Sequence, residues 1–130
     1  MSPAFDGAEG ASVSFIRLLV VDPDPDVRAS LRQGLAGRFE IDEASSAAEA
    51  LARIGERFVS VVLTDYQLTD HDGVWLLEQV QQQRPHIRRV RMSSRSVPNV
   101  LGLRDAGVLH LFMAKPVDPE AFAMYFVERA

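Results

Sequence analysis

The chain has 130 residues, a formal net charge of −4 and no cysteine. This length fits one domain with a core of its own, and the lack of cysteine excludes disulfides and zinc–thiolate sites. The acidic balance weighs against direct nucleic-acid binding, and no apolar run reaches the roughly 20 residues that span a bilayer. Residues 1–14 lack the pattern of a signal peptide. We therefore expect a flexible tail over residues 1–14, a single domain over residues 15–130, and a cytoplasmic protein without membrane contact.

The first half of the chain alternates apolar runs with helical patterns. Residues 16–21 form a nearly continuous apolar run, which is typical of a strand buried on both faces. Asp24 and Pro25 then have the pattern of a helix start, with Asp24 as the N-cap and Pro25 in the first helical position. Residues 39–42 predict a short strand at a sheet edge. Ser46 has the capping-box spacing that opens the second helix.

The second half repeats this alternation. The further strands are predicted over residues 58–64, 87–92 and 108–113, and the further helices after Gly73, over residues 96–106 and from Asp118 onward. Connections of this length between strands favour an α/β fold, with a parallel sheet covered by helices on both sides. Functional sites in such folds lie at the carboxyl ends of the strands.

Four polar side chains directly follow predicted strands. They are Asp22, Asp65, Ser93 and Lys115, and the fold would bring all four to one end of the sheet. Two neighbouring carboxylates attract a cation, and Mg²⁺ suits a site with few protein oxygens because it keeps several waters. A carboxylate beside such an ion can attack phosphorus and form an acyl phosphate, while a hydroxyl and an ammonium bind the phosphoryl oxygens. The pattern predicts phosphoryl acceptance on Asp65.

These residues stand in motifs that occur in a characteristic order. The motifs are residues 18–22, residues 61–65 followed by Asp72 and Gly73, Met92 with Ser93, and Lys115 with Pro116. In order and spacing the sequence resembles the receiver domain of bacterial two-component response regulators, over residues 15–129. The resemblance implies a doubly wound, five-stranded parallel sheet in the order 2-1-3-4-5, with five helices in a flavodoxin-like three-layer sandwich.

The resemblance also implies roles at the metal site. Asp65 matches the phosphoacceptor, and Asp22 matches one of the acidic pair that holds Mg²⁺. Gln67 matches the position whose main-chain carbonyl is a further ligand of the ion.

Other positions match the groups that respond to phosphorylation. Ser93 matches the switch hydroxyl, Lys115 the lysine of the site, and Phe112 the aromatic switch position. The bond between Lys115 and Pro116 matches one that is cis in this family, and such bonds are rare enough to be deliberate features.

The resemblance predicts a signalling module and not an enzyme, apart from its own phosphorylation and dephosphorylation. The phosphodonor would be a histidine kinase or a phosphotransfer protein, and the output would be a protein contact. The last helix carries more apolar side chains than one buried stripe requires, namely Phe122, Met124, Tyr125, Phe126 and Val127. We therefore expect a downstream target or a homodimer at the face formed by the fourth helix, the fifth strand and the fifth helix.

One departure from the family pattern leaves alternatives open. The second acid of the pair is replaced by Pro23, and Asp24 is needed as a helix cap. Weak Mg²⁺ binding is therefore expected, and one alternative is a pseudo-receiver that works without phosphate. A second alternative is an aspartate-dependent phosphatase. Such an enzyme would carry an aspartate as general acid at the position of Gln67, and glutamine is a poor general acid, so this alternative is disfavoured.

The fourth predicted strand has an unusual charge for an interior strand. Arg89 and Arg91 fall on one face, and buried arginine must be paired or must reach solvent. We expect that this face is incompletely covered, or that acids from a neighbouring helix meet the arginines. His71, His86 and His110 have no metal-ligand spacing and are expected to be surface or structural residues.

Overall fold

A computed structural model describes residues 16–94 and 100–129, with side chains up to residue 126. The strands are β1 (Ile16–Val21), β2 (Phe39–Ala44), β3 (Val61–Asp65), β4 (Arg88–Ser93) and β5 (Leu111–Ala114). The helices are α1 (Pro25–Leu35), α2 (Ala47–Glu56), α3 (Gly73–Gln83), α4 (Val100–Asp105) and α5 (Pro119–Arg129). The predicted tail over residues 1–14 and the predicted start of the fourth helix before residue 100 lie outside the described residues.

The five strands form one parallel sheet in the order β2-β1-β3-β4-β5. This confirms the predicted order 2-1-3-4-5 and the edge position of the second strand. In the sheet register, Val21 pairs with Thr64, Thr64 with Arg91, and Arg91 with Phe112. Because these residues form one row, the residues just beyond them meet at the carboxyl end of the sheet.

Helices bury both faces of the sheet, as predicted. On one face, Leu19 and Val62 pack with buried side chains of α2 and α3. On the other, Leu18 and Leu63 pack with α1 and α5, where Phe122 and Phe126 enter the core. Within residues 16–94 and 100–129, no helix is both long and apolar enough to be a membrane span.

Capping side chains fix where three helices begin, and each lies at the carboxyl end of the sheet. Asp24 accepts from the main-chain N–H of Asp26 at 2.9 Å. Ser46 accepts from the N–H of Glu49, and Asp72 from that of Trp75. These bonds satisfy backbone donors that have no partner inside a helix, and they confirm the predicted caps at Asp24 and Ser46.

Two predicted strands begin later than their apolar runs indicate. β3 begins at Val61, and Phe58 lies in the preceding loop with 67% of its surface exposed. β5 begins at Leu111 instead of Val108. The Val108 N–H donates to the Leu103 carbonyl at the end of α4, and the Val108 carbonyl accepts from Arg89. The backbone of Val108 therefore has partners outside the sheet ladder.

Candidate functional site

Three of the predicted site residues meet at the carboxyl end of the sheet. Asp22 follows β1 and is 1% exposed, and Asp65 ends β3. The Lys115 ammonium, which follows β5, lies 2.8 Å from Asp22 Oδ2 and 3.1 Å from Asp65 Oδ1. One cation thus bridges two carboxylates, which leaves the cluster with excess negative charge.

The electrostatics of the cluster follow from this arrangement. Burial raises the pKa of Asp65, Lys115 opposes that shift and the charge of Asp22 adds to it, so that the pKa lies above its ordinary value of 3.8. Burial by itself would lower the pKa of Lys115, but its hydrogen bonds to Asp22 and Asp65 and the charges of both carboxylates together outweigh burial and raise it. Lys115 is therefore held as a cation between the carboxylates.

The other predicted site residues are Ser93, Gln67 and Phe112. Ser93 ends β4, is buried, and accepts from the Lys115 N–H through its main-chain carbonyl at 2.9 Å. Gln67 is exposed in the loop after β3 and forms an isolated bridge with Asp72. Phe112 lies on β5, opposite Arg91. The peptide bond between Lys115 and Pro116 is cis, as predicted.

The loop after β1 lacks a second free carboxylate. Pro23 follows Asp22, and the Asp24 side chain is engaged by the N–H of Asp26. Asp22 Oδ1 accepts from the Asp24 N–H at 2.9 Å, and Arg28 Nη1 donates to the Asp22 carbonyl at 2.6 Å. Within the described parts of the chain, no three acidic or histidine side chains are grouped as a metal site. Any ion bound here would rest on two carboxylates and main-chain oxygen.

The segment between β3 and α3, residues 66–72, is termed the acceptor loop. Asp70 anchors it to α2 by accepting from the N–H groups of Ala47 and Ala48, each at 2.9 Å. These backbone bonds lower the pKa of Asp70. The loop is thus tied to the first turn of a helix that is distant in sequence.

Gly73, which begins α3 directly after the acceptor loop, lies very close to the backbone of Asp65. The Gly73 N–H donates to the Tyr66 carbonyl at 2.6 Å. A Cβ atom on Gly73 would lie 2.2 Å from the Asp65 carbonyl oxygen, which is far inside van der Waals contact. Glycine is required here for close packing and not for an unusual φ angle.

The expectation for the two arginines of β4 is wrong. Both are buried, and neither forms an ion pair among the described residues. The Arg89 guanidinium donates to the carbonyls of Pro85, Ile87, Gly107 and Val108. The Arg91 guanidinium instead lies over the rings of Tyr66 and Phe112. Backbone oxygens therefore hold Arg89 and aromatic faces hold Arg91, and the only acid that favours Arg91 among the described residues is Asp72 at the start of α3, which forms no ion pair with it.

His110 and His71 form structural contacts, and His86 is exposed, in agreement with the expected surface or structural positions. His110 Nδ1 accepts from the Arg89 N–H at 2.9 Å. The His71 ring stacks on Trp75 with 3.6 Å between centroids, which places the single tryptophan of the chain beside the acceptor loop.

The fold places a cluster of two carboxylates and one lysine at the carboxyl end of a parallel sheet, and comparison with known proteins identifies the class of the domain. The model of the response regulator receiver domain matches residues 18–125, and the chain belongs to this family. The chain is 29% identical over 106 residues to the transcriptional regulatory protein GlrR of Escherichia coli, covering 80% of the chain and 24% of GlrR. It is 32% identical over 105 residues to the hydrogenase transcriptional regulatory protein HoxA of Cupriavidus necator, covering 79% of the chain and 22% of HoxA.

A solved structure supports the same assignment. The CheY-like receiver domain protein from Methanospirillum hungatei has a TM-score of 0.80 and 28% identity, with 89% of this chain and 94% of that chain covered. The chain spans about a quarter of the length of the two transcriptional regulators, at 24% and 22%. The shared part is therefore the receiver domain.

Proposed function

We propose that this receiver domain accepts a phosphoryl group on Asp65 and signals through protein contacts. The observation that carries the proposal is the Lys115 ammonium between Asp22 and Asp65, at 2.8 and 3.1 Å. It places a fixed cation beside a carboxylate that lies at the rim of the sheet with a side chain 16% exposed. A nucleophile, a charge partner and access from solvent are thus combined at one residue.

The chemistry of the step is an in-line displacement at phosphorus. An oxygen of the Asp65 carboxylate forms a bond to phosphorus, and the bond from phosphorus to the donor atom breaks. The leaving group is the imidazole nitrogen of a phosphohistidine, or acetate when acetyl phosphate is the donor, and it keeps the electron pair. Lys115 and the Ser93 hydroxyl would bind the phosphoryl oxygens, since charge-assisted hydrogen bonds to such oxygens are strong.

The donor set fits Mg²⁺ as a weakly held ion. Asp22 and Asp65 would hold it with the main-chain carbonyl of Gln67, because Mg²⁺ commonly takes one or two carboxylates and retains water. When bound, the ion would neutralise charge that develops on the phosphoryl oxygens. The excess negative charge of the two carboxylates over Lys115 supports this assignment, and the absence of a second acid at Pro23 supports low affinity.

A cavity beside the site offers a place for the phosphodonor. Its volume is about 360 Å³, and its apolar lining includes Val27, Leu31, Met92 and Val117. Lys115 lies in the same wall. An apolar side chain of a histidine kinase or a phosphotransfer protein could enter it while the phosphohistidine faces Asp65.

The output surface would lie on α4, β5 and α5. Leu101 of α4 is 71% exposed and Met124 of α5 is 49% exposed, so both helices offer a large apolar side chain to a partner. A downstream protein or a second copy of the chain would bind there after Ser93 and Phe112 respond to phosphate. This location is distinct from the donor cavity, so that input and output do not compete.

The test is treatment of the purified chain with Mg²⁺ and acetyl phosphate, followed by intact-mass measurement. We expect the mass of one added phosphoryl group, lost in Asp65→Asn and retained in Glu56→Gln, which neutralises an exposed acid at the end of α2. Beryllofluoride should change Trp75 fluorescence, because this ring stacks on His71 of the acceptor loop. If the mass and the Trp75 fluorescence both stay unchanged, phosphoacceptance is refuted.

A pseudo-receiver is the second candidate, and Pro23 is the observation that favours it. Pro23→Asp restores the acidic pair and should strengthen Mg²⁺ binding, as measured by the Trp75 fluorescence titration. If the original chain takes no phosphate while Pro23→Asp does, the pseudo-receiver is supported. Phosphate transfer to the original chain, lost in Asp65→Asn, would exclude it.

A further inference from the structure

Arg91 has an environment that an arginine seldom occupies. Its side chain is fully buried, at 0% exposure. Its Nε, Nη1 and Nη2 atoms have no hydrogen-bond partner among the residues that the structure describes. Its Cζ atom lies 5.3 Å from the ring centroid of Tyr66 and 5.4 Å from that of Phe112. The two aromatic faces contact this buried charge, and the negative charge of Asp72 also favours it although the two residues form no ion pair.

The strand register places these two rings on opposite sides of Arg91. Phe112 is the β5 residue paired with Arg91. Tyr66 directly follows Asp65, and its N–H donates to the Met92 carbonyl at 3.0 Å, which continues the pairing of β3 with β4. Arg91 therefore touches the residue next to the phosphoacceptor position on one side and the predicted aromatic switch on the other.

Stability alone does not explain an arginine at this position. Burial lowers the pKa of Arg91, yet guanidinium keeps its proton in proteins, so the charge remains and its donors stay unmet. Cation–π contacts return only part of the cost of removing a charge from water. An apolar side chain of similar volume would pack in the same space without that cost.

We propose that Arg91 is a positioning residue that couples the ring of Phe112 to the acceptor loop through the ring of Tyr66. If Phe112 turns away, the guanidinium loses one of its two faces and must move relative to Tyr66, whose backbone is bonded to Asp65. Coupling of this kind is reciprocal, so a change at Asp65 acts on Phe112 by the same contacts. The part of the proposal that concerns Asp65 rests on the proposed function, and the coupling of the two rings does not.

The ring coupling is tested by a double-mutant cycle in the full chain. Tyr66 ring resonances are followed by NMR in Phe112→Leu, Arg91→Met and the double variant, with Tyr125→Phe removing the only other tyrosine. Phe112→Leu should shift the Tyr66 resonances when Arg91 is present and leave them nearly unchanged in the Arg91→Met background. Equal shifts in both backgrounds would overturn the proposal.

Two further variants separate coupling from simple packing. If Arg91→Met does not fold, Arg91→Leu replaces it with the same expectation. Arg91→Lys keeps a cation between the rings and should restore a measurable part of the Tyr66 shift, whereas a purely steric role predicts no recovery over methionine. Absence of recovery would therefore count against the cation–π mechanism.

The connection to Asp65 is tested with beryllofluoride and Mg²⁺, read by Trp75 fluorescence. Phe112→Leu should change the half-saturating beryllofluoride concentration about fivefold when Arg91 is present, and less than half as much in the Arg91→Met background. The same change in both backgrounds would overturn the connection. If beryllofluoride gives no response in any variant, the proposed function fails, while the NMR cycle still decides the ring coupling.

Discussion

Two buried arginines on the same face of β4 are accommodated in opposite ways. At the amino end of the strand, the Arg89 guanidinium donates to four carbonyls at 2.8 to 3.0 Å. At the carboxyl end, the Nε, Nη1 and Nη2 atoms of Arg91 have no hydrogen-bond partner among the described residues. The same side chain therefore joins neighbouring segments at one end of the sheet and remains unsatisfied at the end that holds Asp22, Asp65 and Lys115.

The buried charges at the two ends of the sheet differ in what they contribute to the free energy of folding. At the amino end, a buried charge is fully hydrogen-bonded, so removing it leaves buried acceptors without donors. At the carboxyl end, Arg91 has no acceptor within residues 16–94 and 100–129 and burial raises the pKa of Asp65, so ionised groups persist there at a cost in folding free energy. Functional sites commonly carry such a cost. Replacing a charged residue by a neutral one should therefore lower the free energy of unfolding at the amino end and leave it unchanged or raise it at the carboxyl end.

The largest effect is expected for Arg89→Met. The carbonyls of Pro85, Ile87, Gly107 and Val108 would lose the guanidinium that they share, and the free energy of unfolding should fall by about 3 kcal/mol. Urea unfolding at constant m-value measures this loss. The matched substitution Arg91→Met should leave the stability unchanged or raise it, since it removes an unsatisfied charge. Equal losses at both positions would contradict the distinction between the two ends.

A smaller loss is expected for Gly73→Ala at the site end. The added methyl would lie 2.2 Å from the Asp65 carbonyl oxygen, and displacing the backbone should cost about 2 kcal/mol. Gly55→Ala is the control, because no atom lies within 4 Å of a Cβ at that position in α2 and alanine favours a helix by about 1 kcal/mol. Urea unfolding of both variants provides the comparison. A gain in stability for Gly73→Ala would show that the acceptor loop moves without cost.

The fold was predictable from local signals because nearly every one agrees with the final structure. The apolar run that ends at Asp22, the cap at Asp24 and the glycine at residue 37, which has φ of 89°, all mark boundaries without knowledge of the tertiary fold. Where prediction failed, tertiary contacts had replaced local ones. Residues 108–110 have the composition of a strand, but the end of α4 and Arg89 use the backbone of Val108.

The centre of the site was predictable because parallel strands deliver their carboxyl ends to one place. The supporting contacts were not. Arg28 donates to the Asp22 carbonyl, and Asp70 accepts from the N–H groups that begin α2. These contacts join different elements, so the periodicity of the sequence does not predict them. Arg91 is unusual for an interior strand, but its aromatic surroundings depend on the strand register. The signal in the sequence was the presence of arginines in a strand that was expected to be interior.

The smallest predicted effect concerns Asp65 itself and its pH dependence. Burial raises the pKa of Asp65 above 3.8, Lys115 opposes this and Asp22 adds to it. A carboxyl with a raised pKa binds its proton more tightly in the folded state, so its favourable contribution is complete below the unfolded pKa and is lost as the pH rises through the folded pKa. At neutral pH the ionised carboxylate therefore destabilises the fold. Asp65→Asn should raise the Tm by about 3 °C at pH 7.

That gain should shrink as the pH falls through the raised pKa of Asp65 and vanish below the ordinary value of 3.8, where Asp65 is neutral in both states. Thermal unfolding followed by circular dichroism across this range measures the difference, with Asp26→Asn as the control that should show no gain at neutral pH. A loss of stability in Asp65→Asn at pH 7 would mean that the bond to Lys115 outweighs burial. The cluster would then resemble the amino end of the sheet, where a charged group stabilises the fold.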